Sequence, residues 1–100
     1  MKKILAFNDY YIPAIKCGGP VTSINNAVNA LKDEYEFYIE AVNHDFGDKT
    51  PFPGIGDKWY TVGAAQVRYH KEGELDFNYK KMEEFIEEVN PDLMWFSGLL

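Results

Sequence analysis

The sequence predicts an α/β domain: a doubly wound, three-layer arrangement around a parallel sheet. Three observations lead there. An apolar run, Ile4-Leu5-Ala6-Phe7, is followed by a glycine-containing loop and then by apolar residues at helical spacing, Val21, Ile24, Val28 and Leu31. Strand-like and helix-like stretches continue to alternate, in the order β-α-β-(long loop)-β-α-β. The first and last strand-like runs carry no polar alternation, as suits strands covered on both faces.

The first strand spans residues 3–7. The loop 8–20 ends in Cys17-Gly18-Gly19-Pro20. Glycine lets a backbone approach a ligand closely, and proline suits a first helical turn. The helix is therefore expected to open at Gly19 or Pro20 and to run to about Lys32. Its unpaired N–H groups and positive dipole end would attract phosphate or carboxylate beside Gly18 and Gly19. A tight strand-to-helix turn that binds nothing is the plainer alternative. The second strand, 35–42, alternates: Tyr35, Phe37, Ile39 and Ala41 on one face, Glu36, Tyr38 and Glu40 on the other, so that only one face is expected to be buried.

Residues 43–65 hold four glycines and two prolines without a sustained period. Loops of that length are uncommon in compact domains and are often functional. A short third strand covers 66–71, with Val67 and Tyr69 on one face and His70 as a structural residue. Asp76 can cap a second helix whose core stripe is Met82, Phe85, Ile86 and Val89, with Lys80, Lys81, Glu83, Glu84, Glu87 and Glu88 facing water. Asn90-Pro91 ends it. The fourth strand is 92–96, and Ser97-Gly98 opens a further loop. In the usual 3-2-1-4 strand order the first and fourth strands flank the switch point, where ligands bind outside the carboxyl ends.

Composition narrows the classes. The 100 residues are 46% hydrophobic and 16% aromatic, enough for a buried core. Ten basic against sixteen acidic residues give a net charge of −6, with no basic run to suit nucleic acid. The single Cys17 fits a reducing compartment and reads as a small packed residue, although a helix start beside it can lower a thiol's pKa. Asn8-Asp9 cuts the first apolar run too short for a signal peptide. A cytoplasmic location is expected. No Gly-x-Gly-x-x-Gly follows the first strand, and Gly47-Asp48-Lys49-Thr50 lacks the glycine spacing of a P-loop.

Within these elements, Asn8-Asp9-Tyr10-Tyr11, Pro13-Ala14, Lys16, Gly18-Gly19-Pro20 and Ser23-Ile24 stand as a first block. Asn43-His44-Asp45-Phe46-Gly47-Asp48, Pro51-Phe52-Pro53-Gly54, Asp57-Lys58-Trp59 and Val62-Gly63 form a second, and Asn90-Pro91-Asp92 with the strand after it a third. The three blocks in order resemble the opening of family 4 glycosyltransferases of bacteria and archaea. The resemblance implies a GT-B architecture of two Rossmann-like domains. It implies retaining transfer of a sugar from a nucleotide-sugar donor to a glycan or lipid-linked acceptor, in cell-surface polysaccharide synthesis. It implies no essential metal and no cofactor, the nucleotide sugar being a substrate.

By position in that family, Gly18 and Gly19 correspond to the loop offered to the donor phosphates. Lys16, His44, Asp45 and Trp59 are candidates for the acceptor. Lys16 also reads as a phosphate contact or a solvated lysine, and His44 with Asp45 as loop-ordering residues or part of a metal site. Trp59, Tyr60, Phe46 and Phe52 either stack on a sugar or pack the long loop onto the domain. Residues 1–100 correspond to an incomplete amino-terminal, acceptor-side domain, inactive alone. The donor domain and the family's amino-domain histidine would lie beyond Leu100, so no catalytic residue is assigned. The fourth strand is then expected to show an unpaired apolar edge open to self-association, and peripheral membrane contact belongs to the full-length protein. The runner-up is a stand-alone flavodoxin-like or receiver-like phosphate-ligand module. Against it, Asp9 lacks an acidic neighbour after the first strand, and the loop has glycines where a flavodoxin has hydroxyls.

Overall fold

The described residues form seven elements: β1 (Lys2–Asn8), α1 (Gly19–Leu31), β2 (Tyr35–Val42), β3 (Tyr60–Val62), β4 (Ala65–His70), α2 (Tyr79–Val89) and β5 (Leu93–Ser97). The computed structural model describes residues 1–8, 10–14, 16, 19–56, 58–71, 73–74 and 78–97. Gly18, Cys17, Asp76 and residues 98–100 therefore lie outside the described residues.

The sheet order is β3-β4-β2-β1-β5. Four strands follow the expected 3-2-1-4 arrangement: β1 pairs in parallel with β2 and β5, and β2 with β4. The sheet is mixed, however, not wholly parallel. Tyr60–Val62 adds an antiparallel edge strand on β4, with Val62 opposite Ala65. The cause is a two-residue hairpin at Gly63-Ala64, where Gly63 takes φ +60°. Part of the long loop is thus a strand.

The helices lie on opposite faces. Ile4 and Ala6 of β1 join Val21, Ile24 and Val28 of α1, with Phe37, Ile39, Val67 and Tyr69, in one buried cluster. Leu5 and Phe7, pointing the other way, pack with Phe85 and Val89 of α2. Asn78 caps α2, its side chain accepting from the Lys81 N–H at 3.2 Å. Asn90 closes the helix in the left-handed region, φ 52°, its N–H reaching the Ile86 carbonyl at 2.7 Å.

The clearest departure concerns β2. Glu40, expected on a solvent face, is 1% exposed. Helix α2 covers that face, where Arg68 of β4 neutralises the carboxylate and His70 hydrogen-bonds it. Glu88 is exposed, as expected, and from there pairs with Arg68 at 2.9 Å, whereas Lys81, expected in water, is partly drawn in and pairs with Glu74. At the other end of the sheet β5 has only β1 beside it among the described residues, and Leu93, Met94 and Phe96 remain about half exposed.

Candidate functional site

The carboxyl ends of β1 and β2 carry two loops that the sequence keeps about thirty residues apart, and the fold joins them. The Lys16 backbone N–H donates to Asp45 Oδ1 at 3.1 Å, and the Phe46 N–H donates to the same oxygen at 2.7 Å. Lys16 Nζ meets Asp48 Oδ1 at 2.5 Å. Tyr10 adds edge-on ring contacts to His44, 6.1 Å between centroids, and to Phe46, 5.9 Å. Asp45 and Asp48 bracket a tight turn closed at 3.0 Å, with Gly47 at φ +81°, which an L side chain would resist.

The first loop is also fixed from below. Tyr11 is fully buried and donates to Asn25 Oδ1 of α1 at 3.1 Å. The Ile12–Pro13 peptide is cis, and the Tyr69 hydroxyl donates to the Ile12 carbonyl. Burial first, and the neighbouring Tyr11 second, push the Tyr69 phenol up to about 12. Asn8 ends β1 opposite Ser97 of β5. Its amide nitrogen donates to the Tyr10 carbonyl, which fixes the orientation of the amide, and its buried Oδ1 has no hydrogen-bond partner among the described residues.

Gly19 is the first residue of α1. A Cβ built there would meet nothing within 4 Å, and its φ is an ordinary one. Neither packing nor backbone conformation requires glycine at this position. No acidic side chain occupies the first turn.

Three of the four acceptor candidates, Lys16, His44 and Asp45, thus share one site. His44 and Asp45 are buried, and His44 Nδ1 donates to the Asp45 carbonyl at 2.8 Å, which sets its tautomer. The hydrogen bond and charge of Asp48 hold the exposed Lys16 ammonium above its ordinary pKa. Trp59 belongs to the other face. It sits edge-on to Tyr38, centroids 5.4 Å apart, with Arg68 Cζ 4.3 Å from its ring centre. Phe52 and Tyr60 both pack on Tyr69. Phe46 is 57% exposed. Among the described residues there is no group of three His, Cys, Asp or Glu side chains that could hold a metal ion. Among them, too, no helix is long and apolar enough to cross a membrane.

Sequence reasoning missed a second polar centre. Arg68 donates to Glu40 through Nη2 at 2.8 Å and Nε at 3.2 Å, and through Nη2 to Glu88. Its guanidinium lies between the rings of Trp59 and Phe85, 4.3 and 4.1 Å from their centres. Burial pulls the Arg68 pKa down, but the Glu40 and Glu88 carboxylates outweigh it. His70 Nε2 bonds Glu40 Oε2, and the imidazole stacks on Phe85 at 5.0 Å. The only signal in the sequence was Arg68 and His70 at i, i+2 on a strand, opposite a strand carrying Glu40.

Comparison with protein-family models, with curated proteins and with solved structures finds no match.

Proposed function

We propose that this domain is the acceptor-side domain of a retaining GT-B glycosyltransferase. In this reading it binds a glycan or lipid-linked acceptor and presents the start of α1 to the diphosphate of a nucleotide-sugar donor held by a second Rossmann-like domain. The observation that carries the reading is the meeting of the two motif blocks. Lys16 of the first and Asp45 of the second are hydrogen-bonded at 3.1 Å where a doubly wound sheet binds its ligands.

The chemistry follows from what lies there. As the glycosidic bond to the nucleotide breaks, negative charge grows on the diphosphate. N–H groups at a helix start meet that charge without reorganising. A side chain at Gly19 would stand between those groups and the phosphate, and the fold itself has no need of glycine there. The His44–Asp45 segment is held in place by its own hydrogen bonds, so an acceptor would meet a preformed wall. Gly18, assigned to the same phosphate contact, lies outside the described residues.

The test is steady-state kinetics of the complete polypeptide with a panel of nucleotide sugars and simple glycoside acceptors. His44→Ala/Asp45→Ala should raise acceptor KM or lower acceptor-dependent turnover while donor affinity stays near that of the parent. Loss of donor affinity alone would contradict the assignment of this loop to the acceptor.

A further inference from the structure

A second cleft opens at the carboxyl ends of β2 and β4, beside the polar centre under α2. It measures about 250 Å³ and is lined by Asn43, Ile55, Gly56, Tyr69, His70 and Glu74. That is below the ~300–1,000 Å³ of sites for drug-sized ligands, which suits one small ring rather than a nucleotide.

Its walls are held by the fold. The Asn43 N–H donates to the His70 carbonyl at 2.7 Å, and the Phe52 N–H donates to the Asn43 carbonyl at 2.8 Å. The Tyr60 hydroxyl accepts from the Gly56 N–H at 2.6 Å and donates to the Gly54 carbonyl, so the Ile55-Gly56 rim is tied down. Tyr60 in turn packs on Tyr69.

Among the described residues the cleft holds spare hydrogen-bonding capacity on His70, Glu74 and Asn43. Glu40 is fully buried and already accepts from Arg68, so the nitrogen facing it, His70 Nε2, carries the proton. That leaves Nδ1 as the ring nitrogen without a hydrogen bond among the described residues. It faces Glu74 Oε2 at 3.6 Å, too far for a hydrogen bond. Glu74 is ionised, its pKa lowered chiefly by the hydrogen bond from Lys81, and among the described residues Oε2 accepts only the Lys71 N–H at 3.2 Å. His70 Nδ1 and the acceptor Glu74 Oε2 thus stand side by side with hydrogen-bonding capacity to spare. Lys81 already offsets the Glu74 charge, which favours neutral donors over a further cation. The Asn43 side-chain amide, which offers both donor and acceptor, also lines the cleft.

We infer that this cleft is a hexose subsite. Adjacent ring hydroxyls hydrogen-bond to Glu74 Oε2 and His70 Nδ1, and the Asn43 amide reads a third. The Glu40–Arg68 pair positions His70 without touching the sugar. The subsite deepens the transferase reading, on which it rests, by giving the acceptor a second point of contact apart from Lys16, His44 and Asp45.

The experiment is an NMR titration of the folded chain with methyl hexopyranosides, and separately with a nucleoside diphosphate. Hexosides should move the His70 ring and Asn43 side-chain signals. Glu74→Gln and Asn43→Ala should each weaken that binding by about tenfold, as expected for one lost hydrogen bond to a well-placed partner. Tetrahydropyran, which has the ring without the hydroxyls, should move nothing. Hexosides that leave His70 and Asn43 still up to molar concentration overturn the subsite, as does an equal response in Glu74→Gln or a response to calcium in place of sugar. The two readings fail separately. A nucleotide response at Gly19 with a silent His70 removes the subsite alone. A hexoside response at His70 with a silent Gly19 removes the donor role and leaves the subsite.

Discussion

The backbone N–H of Lys16 donates to the side chain of Asp45, 29 residues further along the chain, at 3.1 Å. A single carboxylate therefore sets the distance between the two loops at the carboxyl end of the sheet. Asp45 is 7% exposed, so the groups it satisfies are partly shielded from water.

Asp45→Ala should cost about 1–3 kcal/mol, because the Lys16 and Phe46 N–H groups lose their acceptor. Asp45→Asn retains an oxygen and should cost less. Urea unfolding of the two variants checks this; equal stabilities would mean that the carboxylate does not hold the loops.

Glu40→Ala should be the more damaging substitution, costing about 3–5 kcal/mol, since it leaves Arg68 and His70 enclosed without their shared partner. Replacing both partners, Glu40→Leu with Arg68→Met, should recover most of the loss. Denaturation midpoints that fall further in the double variant than in Glu40→Ala would refute the pairing.

Alkaline pH should unfold the domain through its tyrosines. Burial raises the Tyr11 pKa, and Tyr69 is pushed up to about 12. In the unfolded chain both ionise near 10. The folded state therefore holds these protons more tightly. Their contribution is complete below pH ~10 and is lost as pH rises toward ~12. Phenolate absorbance should show late-titrating tyrosines whose ionisation coincides with unfolding. All seven titrating together near pH 10 in a folded protein would contradict it.

The sheet order was legible because it depends on local period and on connection rules. Ile4 to Phe7 read as a buried strand, the spacing of Phe85 and Val89 marked the inner face of α2, and strand-helix alternation gave the parallel neighbours. Strand β3 was missed although Gly63-Ala64 is a two-residue hairpin signal, because the length of the surrounding loop masked it. The buried role of Glu40 was illegible for a different reason. Alternation tells which residues share a face; it does not tell what covers that face. Register then decides the matter, placing Glu40 opposite Arg68. Lys16 and Asp45 were each visible as polar loop residues, but their contact depends on tertiary structure alone.

Strand β5 should support self-association. Phe96 stacks on Phe7, centroids 5.3 Å apart and planes 9° from parallel, yet stays 49% exposed beside Met94. Beyond them no strand pairs with β5 among the described residues. Sedimentation of the chain should show a concentration-dependent dimer, and Met94→Lys/Phe96→Lys should be monomeric. A parent that stays monomeric at every concentration would rule this out.

The central claim is that the start of α1 takes the diphosphate of a nucleotide sugar. The most direct measurement is an amide NMR titration of the chain and of Gly19→Val with a nucleoside diphosphate. Open space around Gly19 means that the valine variant should fold with stability within about 0.5 kcal/mol of the parent. In the parent, the Gly19 and Val21 amides should shift with added nucleotide, and in Gly19→Val the response should be lost. A parent whose α1 amides stay still at saturating nucleotide, or a folded valine variant that responds as the parent does, would contradict the account.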